Sequence, residues 1–138
     1  MMQDPRRFDV LVTPNLMGDV LADLGAVYLG SRGLSYSANF SPAGHAVYQT
    51  GHGAAKDLAG TDRANPCGQI LSMAMMLRES YALHEEASLI EQGVDHVYAQ
   101  SYRTDDLVEP CRRRVGTRQM GELVAQAVMS LGRAAVPA

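Results

Sequence analysis

Apolar and polar residues alternate along this chain with two different periods. Phe8-Asp9-Val10-Leu11-Val12 is a short β-rich run set between Pro5 and Pro14, and it predicts a strand. After Pro14-Asn15 the spacing changes. Leu16, Met17, Val20, Leu21, Leu24, Val27 and Tyr28 recur every three or four residues, which predicts a helix that Gly30 or Gly33 can end. Ile70, Leu71, Met73, Ala74, Leu77 and Tyr81 predict another helix, begun by Asn65 as N-cap and Pro66 at the first helical position. A further helix is expected from about His84 to Tyr98. It turns Ala87, Leu89, Ile90, Val94 and Val97 inward and Glu85, Glu86, Glu91 and Asp95 outward. The last helix is capped by Thr117, carries Met120, Leu123, Val124, Ala127, Val128 and Leu131 on one face, and is expected to stop at Gly132.

Residues 31–65 follow neither period. They hold five of the thirteen glycines and read as loops, with a short strand fitting Ala46-Val47-Tyr48. So long a stretch without regular structure in a small domain points to function or to an absent partner. One clear strand cannot make a sheet. Other strands must lie in the loops, or a partner must supply them.

Composition narrows the classes. The 138 residues are 46% hydrophobic and 20% charged, enough for one ordinary domain with a core. A net charge of −3 offers no field for nucleic acid or an anionic membrane. Arg112-Arg113-Arg114 is too isolated to change that and reads as a solvated face. The apolar run Met73–Leu77 is too short to span a bilayer, its methionines lie at core spacing, and the N-terminus has no signal-like apolar segment. Cys67 and Cys111, without CxxC spacing, suggest a reduced, cytoplasmic protein. No repeat, low-complexity tract or domain linker is visible.

Asp19 and Asp23 are the first candidates for chemistry. Four residues apart on a helix, they project from one face and repel each other by a few tenths of a kcal/mol. A hard divalent cation would turn that repulsion into attraction. From spacing alone, a solvated face near the helix start is the favoured reading.

The surrounding residues add weight to the metal reading. Asn15-Leu16-Met17-Gly18-Asp19-Val20-Leu21-Ala22-Asp23, followed by Gly30-Ser31-Arg32-Gly33-Leu34, resembles the signature of the isocitrate and isopropylmalate dehydrogenase family. By that resemblance, Asp19 and Asp23 are ligands of Mg²⁺ or Mn²⁺. His52-Gly53-Ala54-Ala55-Lys56-Asp57-Leu58-Ala59-Gly60, running on to Arg63-Ala64-Asn65-Pro66, looks like the family's adenosine-binding loop. The resemblance implies that His52 packs on adenine and Asn65 contacts it, while Gly53 and Ala54 let the backbone approach. Asp57 would accept the ribose hydroxyls. NADP-using relatives tend to carry Lys-Tyr where this chain has Asp57-Leu58, so NAD is the implied cofactor. Ile70–Arg78, Arg103–Leu107 and Gly116–Glu122 continue the likeness, which covers about residues 5–128.

The implied fold class is α/β, the C-terminal half of such a dehydrogenase, with few strands and four to five helices, incomplete as a monomer. Residues 5–34 would belong to the family's small, dimer-forming domain and 45–138 to its large domain. The implied reaction is oxidative decarboxylation of a 2-hydroxy acid of the isopropylmalate, isocitrate, malate or tartrate type. The family's arginine-rich substrate pocket, catalytic tyrosine and lysine, and a third metal-binding aspartate match nothing here. His45, His84 and His96 do not replace them. Inside the matched part, Ala22, Arg32, Gln49, Gly51, Lys56 and Gln119 depart from the family pattern. The chain is therefore expected to be inactive alone and to need an N-terminal partner subunit or a homo-oligomer. A non-catalytic nucleotide-binding or assembly module, or a decayed remnant, is the alternative.

Overall fold

The computed structural model describes residues 3–107 and 112–135. In chain order these form helix α1 (Asn15–Leu29), strands β1 (Tyr36–Phe40) and β2 (Ala46–Thr50), helices α2 (Cys67–Tyr81) and α3 (His84–Ala99), the short strands β3 (Tyr102–Arg103) and β4 (Arg113–Arg114), and helix α4 (Thr117–Ala135). Three single 3-10 turns, Pro5–Arg7, Arg32–Leu34 and Lys56–Leu58, lie between them. The α/β class with few strands and four α-helices is as expected.

The strand expected at 8–12 does not form. Those residues are irregular, with Val10 81% and Val12 96% exposed. A strand needs a ladder partner for its backbone, and the two ladders among the described residues lie elsewhere. The next segment keeps its expected form. Helix α1 begins directly after Pro14 and ends at Gly30, whose φ of +84° is the left-handed geometry that glycine adopts without strain. Yet its apolar face is open: only Ala26 is buried, while Leu16 and Val27 are 75% and 72% exposed.

Part of the glycine-rich stretch is a β-hairpin. β1 and β2 pair antiparallel from Tyr36 opposite Thr50 to Phe40 opposite Ala46. Phe40 and Tyr48 meet edge to face at 5.8 Å between ring centres. The connecting turn is closed by Gly44 donating to the Ser41 carbonyl.

The core lies between α2, α3 and α4. Cys67, Val94, Val97, Val115, Met120, Val124 and Ala127 form its main cluster, and Ala74, Ala87 and Ile90 a second. The inward residues of α3 and α4 match the periodicity. Those of α2 match only in part: Met73 and Tyr81 are exposed, and Cys67, Ser72 and Ala74 are the residues that turn in. The methionine cluster is thus not uniformly core. Nor does α4 stop at Gly132; it runs on to Ala135. A helical glycine costs only about 1 kcal/mol, which packing against α3 readily outweighs.

Two glycines let elements approach closely. A Cβ at Gly93 would lie 2.5 Å from a Val128 methyl, so α3 meets α4 there. A Cβ at Gly68 would lie 2.7 Å from the Gly33 carbonyl oxygen and 2.9 Å from that of Ser35. The start of α2 is therefore pressed against the backbone turn that follows α1, and this contact sets one wall of the cleft described next.

Candidate functional site

A cleft of about 630 Å³ opens beside the start of α2. Its size suits a small-molecule or cofactor site. Four short segments line it: Ser31–Gly33, His52–Ala55 with Leu58, Arg63–Asn65, and Asp105–Asp106. Each is held by local chemistry that the sequence dictates.

Asn65 anchors the floor and is buried, with 8% of its surface exposed. Its Oδ1 accepts the Cys67 amide at 3.0 Å, which satisfies one open donor at the start of α2. Its Nδ2 donates to Asp106 Oδ2 at 3.1 Å and to the Tyr98 hydroxyl at 3.2 Å. The expected helix start is displaced by one residue: Pro66 is the N-cap and Cys67 the first helical residue, and Asn65, just outside the helix, satisfies the Cys67 amide with its side chain. Ser31 completes this network: its Oγ donates to Asp106 and accepts the Gly33 amide. Burial, followed by the neighbouring Cys67, pushes the Tyr98 hydroxyl far above the usual phenol range, so it stays protonated. Burial likewise raises Cys67, a free thiol that is neutral and shielded. Cys111 lies outside the described residues.

The loop on the facing wall carries four other residues of the expected set, His52, Gly53, Ala54 and Leu58. His52 Nδ1 donates to the Gly53 carbonyl at 2.9 Å, which turns the ring over its own loop. Gly53 and Ala54 line the cleft without bulky side chains. Ala55 has φ +41°, a left-handed conformation that costs an alanine about 1 kcal/mol, just before the turn Lys56–Leu58. Leu58 lines the cleft, whereas Asp57 sits exposed on that turn and is not among the lining residues.

Two carboxylates that sequence reasoning did not single out do line the cleft. Asp106 takes part in the Asn65 network. Asp105 accepts Arg63 Nε at 2.6 Å and also pairs with Arg114. Hydrogen bonds from Arg114 and then Arg63 hold the Asp105 carboxyl far below the usual carboxylate range. A depressed carboxylate stabilises the fold above its unfolded pKa and loses that contribution as pH falls. Glu91, lowered by its bidentate bond to Arg78, behaves the same way. Thermal melts should therefore show stability dropping as pH is taken below about 4. Asp105→Asn should flatten that drop, and an unchanged profile would contradict the assignment.

Asp19 and Asp23 stand on α1, away from the cleft floor. Asp19 is exposed and has no ion-pair partner among the described residues. Asp23 is ion-paired with Arg32, which in turn lines the cleft. Arg32 Nη2 also donates to the Gly51 carbonyl at 2.8 Å, tying α1 to the loop before His52. The two carboxylates are hard oxygen donors of the kind Mg²⁺ or Mn²⁺ takes, and such ions commonly use one or two carboxylates with water. No group of three or more His, Cys, Asp or Glu side chains suited to a metal exists among the described residues. The donor type fits a dication, and Arg32 already occupies one of the two donors.

A family model for isocitrate/isopropylmalate dehydrogenase matches residues 1–124. The 3-isopropylmalate dehydrogenase of Nitratidesulfovibrio vulgaris is 47% identical over 124 residues, which are 90% of this chain and 35% of that protein. Among solved structures, isocitrate dehydrogenase from Methylococcus capsulatus superposes with a TM-score of 0.85 at 40% identity, covering 93% of this chain and 37% of that one. A β-decarboxylating dehydrogenase from Thermococcus kodakarensis in its apo form gives a TM-score of 0.79 at 32% identity, covering 96% and 37%. The matched span is nearer a third of these proteins than the half expected from the sequence. Sequence and backbone agree, and the chain belongs to the isocitrate/isopropylmalate dehydrogenase family, spanning about a third of the length of the relatives it matches.

Proposed function

We propose that this chain carries the NAD-binding and divalent-cation-binding portion of a β-decarboxylating dehydrogenase that oxidises a 2-hydroxy acid of the isopropylmalate, isocitrate, malate or tartrate type. The observation that carries this reading is the cleft in which His52, Gly53, Ala54, Leu58 and Asn65 converge. A flat adenine needs a wall without side chains, a ring to pack on and a fixed floor. Gly53-Ala54 and His52 supply the first two, and Asn65, whose amide is held by Asp106, the Tyr98 hydroxyl and the Cys67 amide, supplies the third. Asp57, exposed beside the lining residue Leu58, would accept a ribose hydroxyl in this reading, and its charge would repel a 2′-phosphate. NAD supplies the hydride acceptor, and a dication held by Asp19 and Asp23 supplies Lewis acidity toward the substrate's oxygen.

Oxidation of the hydroxy acid also needs a group to take the hydroxyl proton and one to return a proton to carbon after the carboxylate leaves. Among the described residues, the two carboxylates that line the cleft are not free for that: Asp105 and Asp106 are both tied to donors. The chain alone is therefore proposed to bind cofactor without turning over substrate. The open apolar face of α1 is the surface where a second copy or a completing subunit would pack. The buried, unpaired Cys67 suits a reducing, cytoplasmic setting.

A turnover assay with NAD, Mn²⁺ and each of the four hydroxy acids tests this. The expected result is no NADH from the chain alone, and NADH with one acid once a polypeptide matching the rest of a relative is added. Light scattering should show an assembly larger than a monomer. NADH production by the chain alone would contradict the reading, as would a monodisperse monomer that gains nothing from the added polypeptide. Binding of NAD without turnover in any mixture would support the non-catalytic module instead.

A further inference from the structure

Arg32 joins three parts of the molecule. It leaves the turn after α1, pairs through Nη1 with Asp23, and donates from Nη2 to the Gly51 carbonyl at 2.8 Å. The second bond matters because it holds the guanidinium in place when Asp23 is not engaged. A planar fork fixed at one prong loses less freedom in making the other bond. The side chains of Arg32 and Asp23 are 44% and 54% exposed, so the pair can open without unfolding anything. The charge sum is simple: Asp19 and Asp23 carry −2 together, and Arg32 lowers this to −1. An incoming dication therefore meets half the attraction, and must also displace a partner from one carboxylate.

We propose that Arg32 is the resident counter-ion of Asp23 and sets how tightly this chain takes a divalent cation, the guanidinium leaving Asp23 when Mg²⁺ or Mn²⁺ engages both carboxylates. The proposal rests on the reading of Asp19 and Asp23 as cation ligands. Arg32 acts through Asp23, so it is a positioning residue for the cation and not a ligand. It also accounts for how two like charges persist four residues apart on α1: the arginine offsets their repulsion in the absence of metal.

The test is a Mn²⁺ titration of the full 138-residue chain at fixed low ionic strength, with free aqueous Mn²⁺ read by electron paramagnetic resonance. Arg32→Gln removes the charge while keeping a polar side chain. It should bind Mn²⁺ about two- to fivefold tighter than the parent, the factor that an exposed ion pair is worth. Arg32→Leu is the second variant and should move the same way; circular dichroism shows that each is folded. Arg32→Lys retains the charge and should stay within about twofold of the parent. Equal or weaker Mn²⁺ binding by both uncharged variants would overturn the proposal. Asp23→Asn and Asp19→Asn separate the two levels. If they weaken Mn²⁺ binding while the Arg32 variants do nothing, only the role of Arg32 fails. If they leave binding unchanged, the cation reading fails and the proposal with it.

Discussion

Met120→Ala is expected to destabilise the fold by about 2–5 kcal/mol, the range for deleting a fully buried large side chain. Met120 has no exposed surface and sits in the first turn of α4, where it packs into the cluster of Cys67, Val94, Val97, Val115 and Val124. Its neighbours come from α2, α3 and the segment after β4, so no single element can shift to fill the space. The thioether's three flexible torsions let methionine fit where these elements meet, and Leu in its place should cost less than about 1.5 kcal/mol. Urea denaturation followed by circular dichroism measures both. A loss below about 1 kcal/mol for the alanine variant would mean that the three-helix core is looser than described.

The second large effect is expected at Asn65, where stability and binding meet. Asn65→Ala removes the acceptor of the Cys67 amide and leaves that buried donor open, which should cost about 1–2 kcal/mol. It also frees the Asp106 carboxylate and the Tyr98 hydroxyl from the amide that joins them. NAD affinity should fall about tenfold, since the floor of the cleft loses the side chain that holds Asp106 and Tyr98 in place. Calorimetric titration with NAD alongside a thermal melt separates the contributions. An Asn65→Ala chain that melts early yet binds NAD as the parent does would assign Asn65 to the helix start alone.

These two residues show what a sequence can and cannot disclose. Met120 is legible because its helix repeats every three or four residues, and α1, α3 and α4 are legible for the same reason. The strand at 8–12 is misleading because β-propensity describes fitness for a ladder, and its ladder partner is not among the described residues. β1 was hidden for the opposite reason. Tyr36-Ser37-Ala38-Asn39-Phe40 has little apolar alternation, although Ser41-Pro42-Ala43-Gly44 carries the residues of a type I turn and could have marked the hairpin. The outward position of Met73 could not be read either, because several small residues of α2 turn in where larger ones were expected.

The candidate site divides along the same line. His52, Gly53, Ala54, Leu58 and Asn65 are close in sequence and are brought to one cleft, so a local motif sufficed to find them. Asp105, Asp106 and Ser31 come from distant segments, and only the fold places them together. The run Arg103-Thr104-Asp105-Asp106-Leu107 was their one available signal. Arg32 was visible as a departure from the family pattern, but its meeting with Asp23 and Gly51 is a fact of three dimensions.

The central claim is that the cleft beside α2 holds the adenosine end of NAD, and an NMR titration of the isotope-labelled chain with NAD addresses it most directly. Amide shifts should saturate at one NAD per chain and centre on His52, Gly53, Ala54 and Asn65, with NADP binding more weakly. A folded chain whose amides do not move at millimolar NAD, or move only outside the His52–Asn65 loop, would contradict the account.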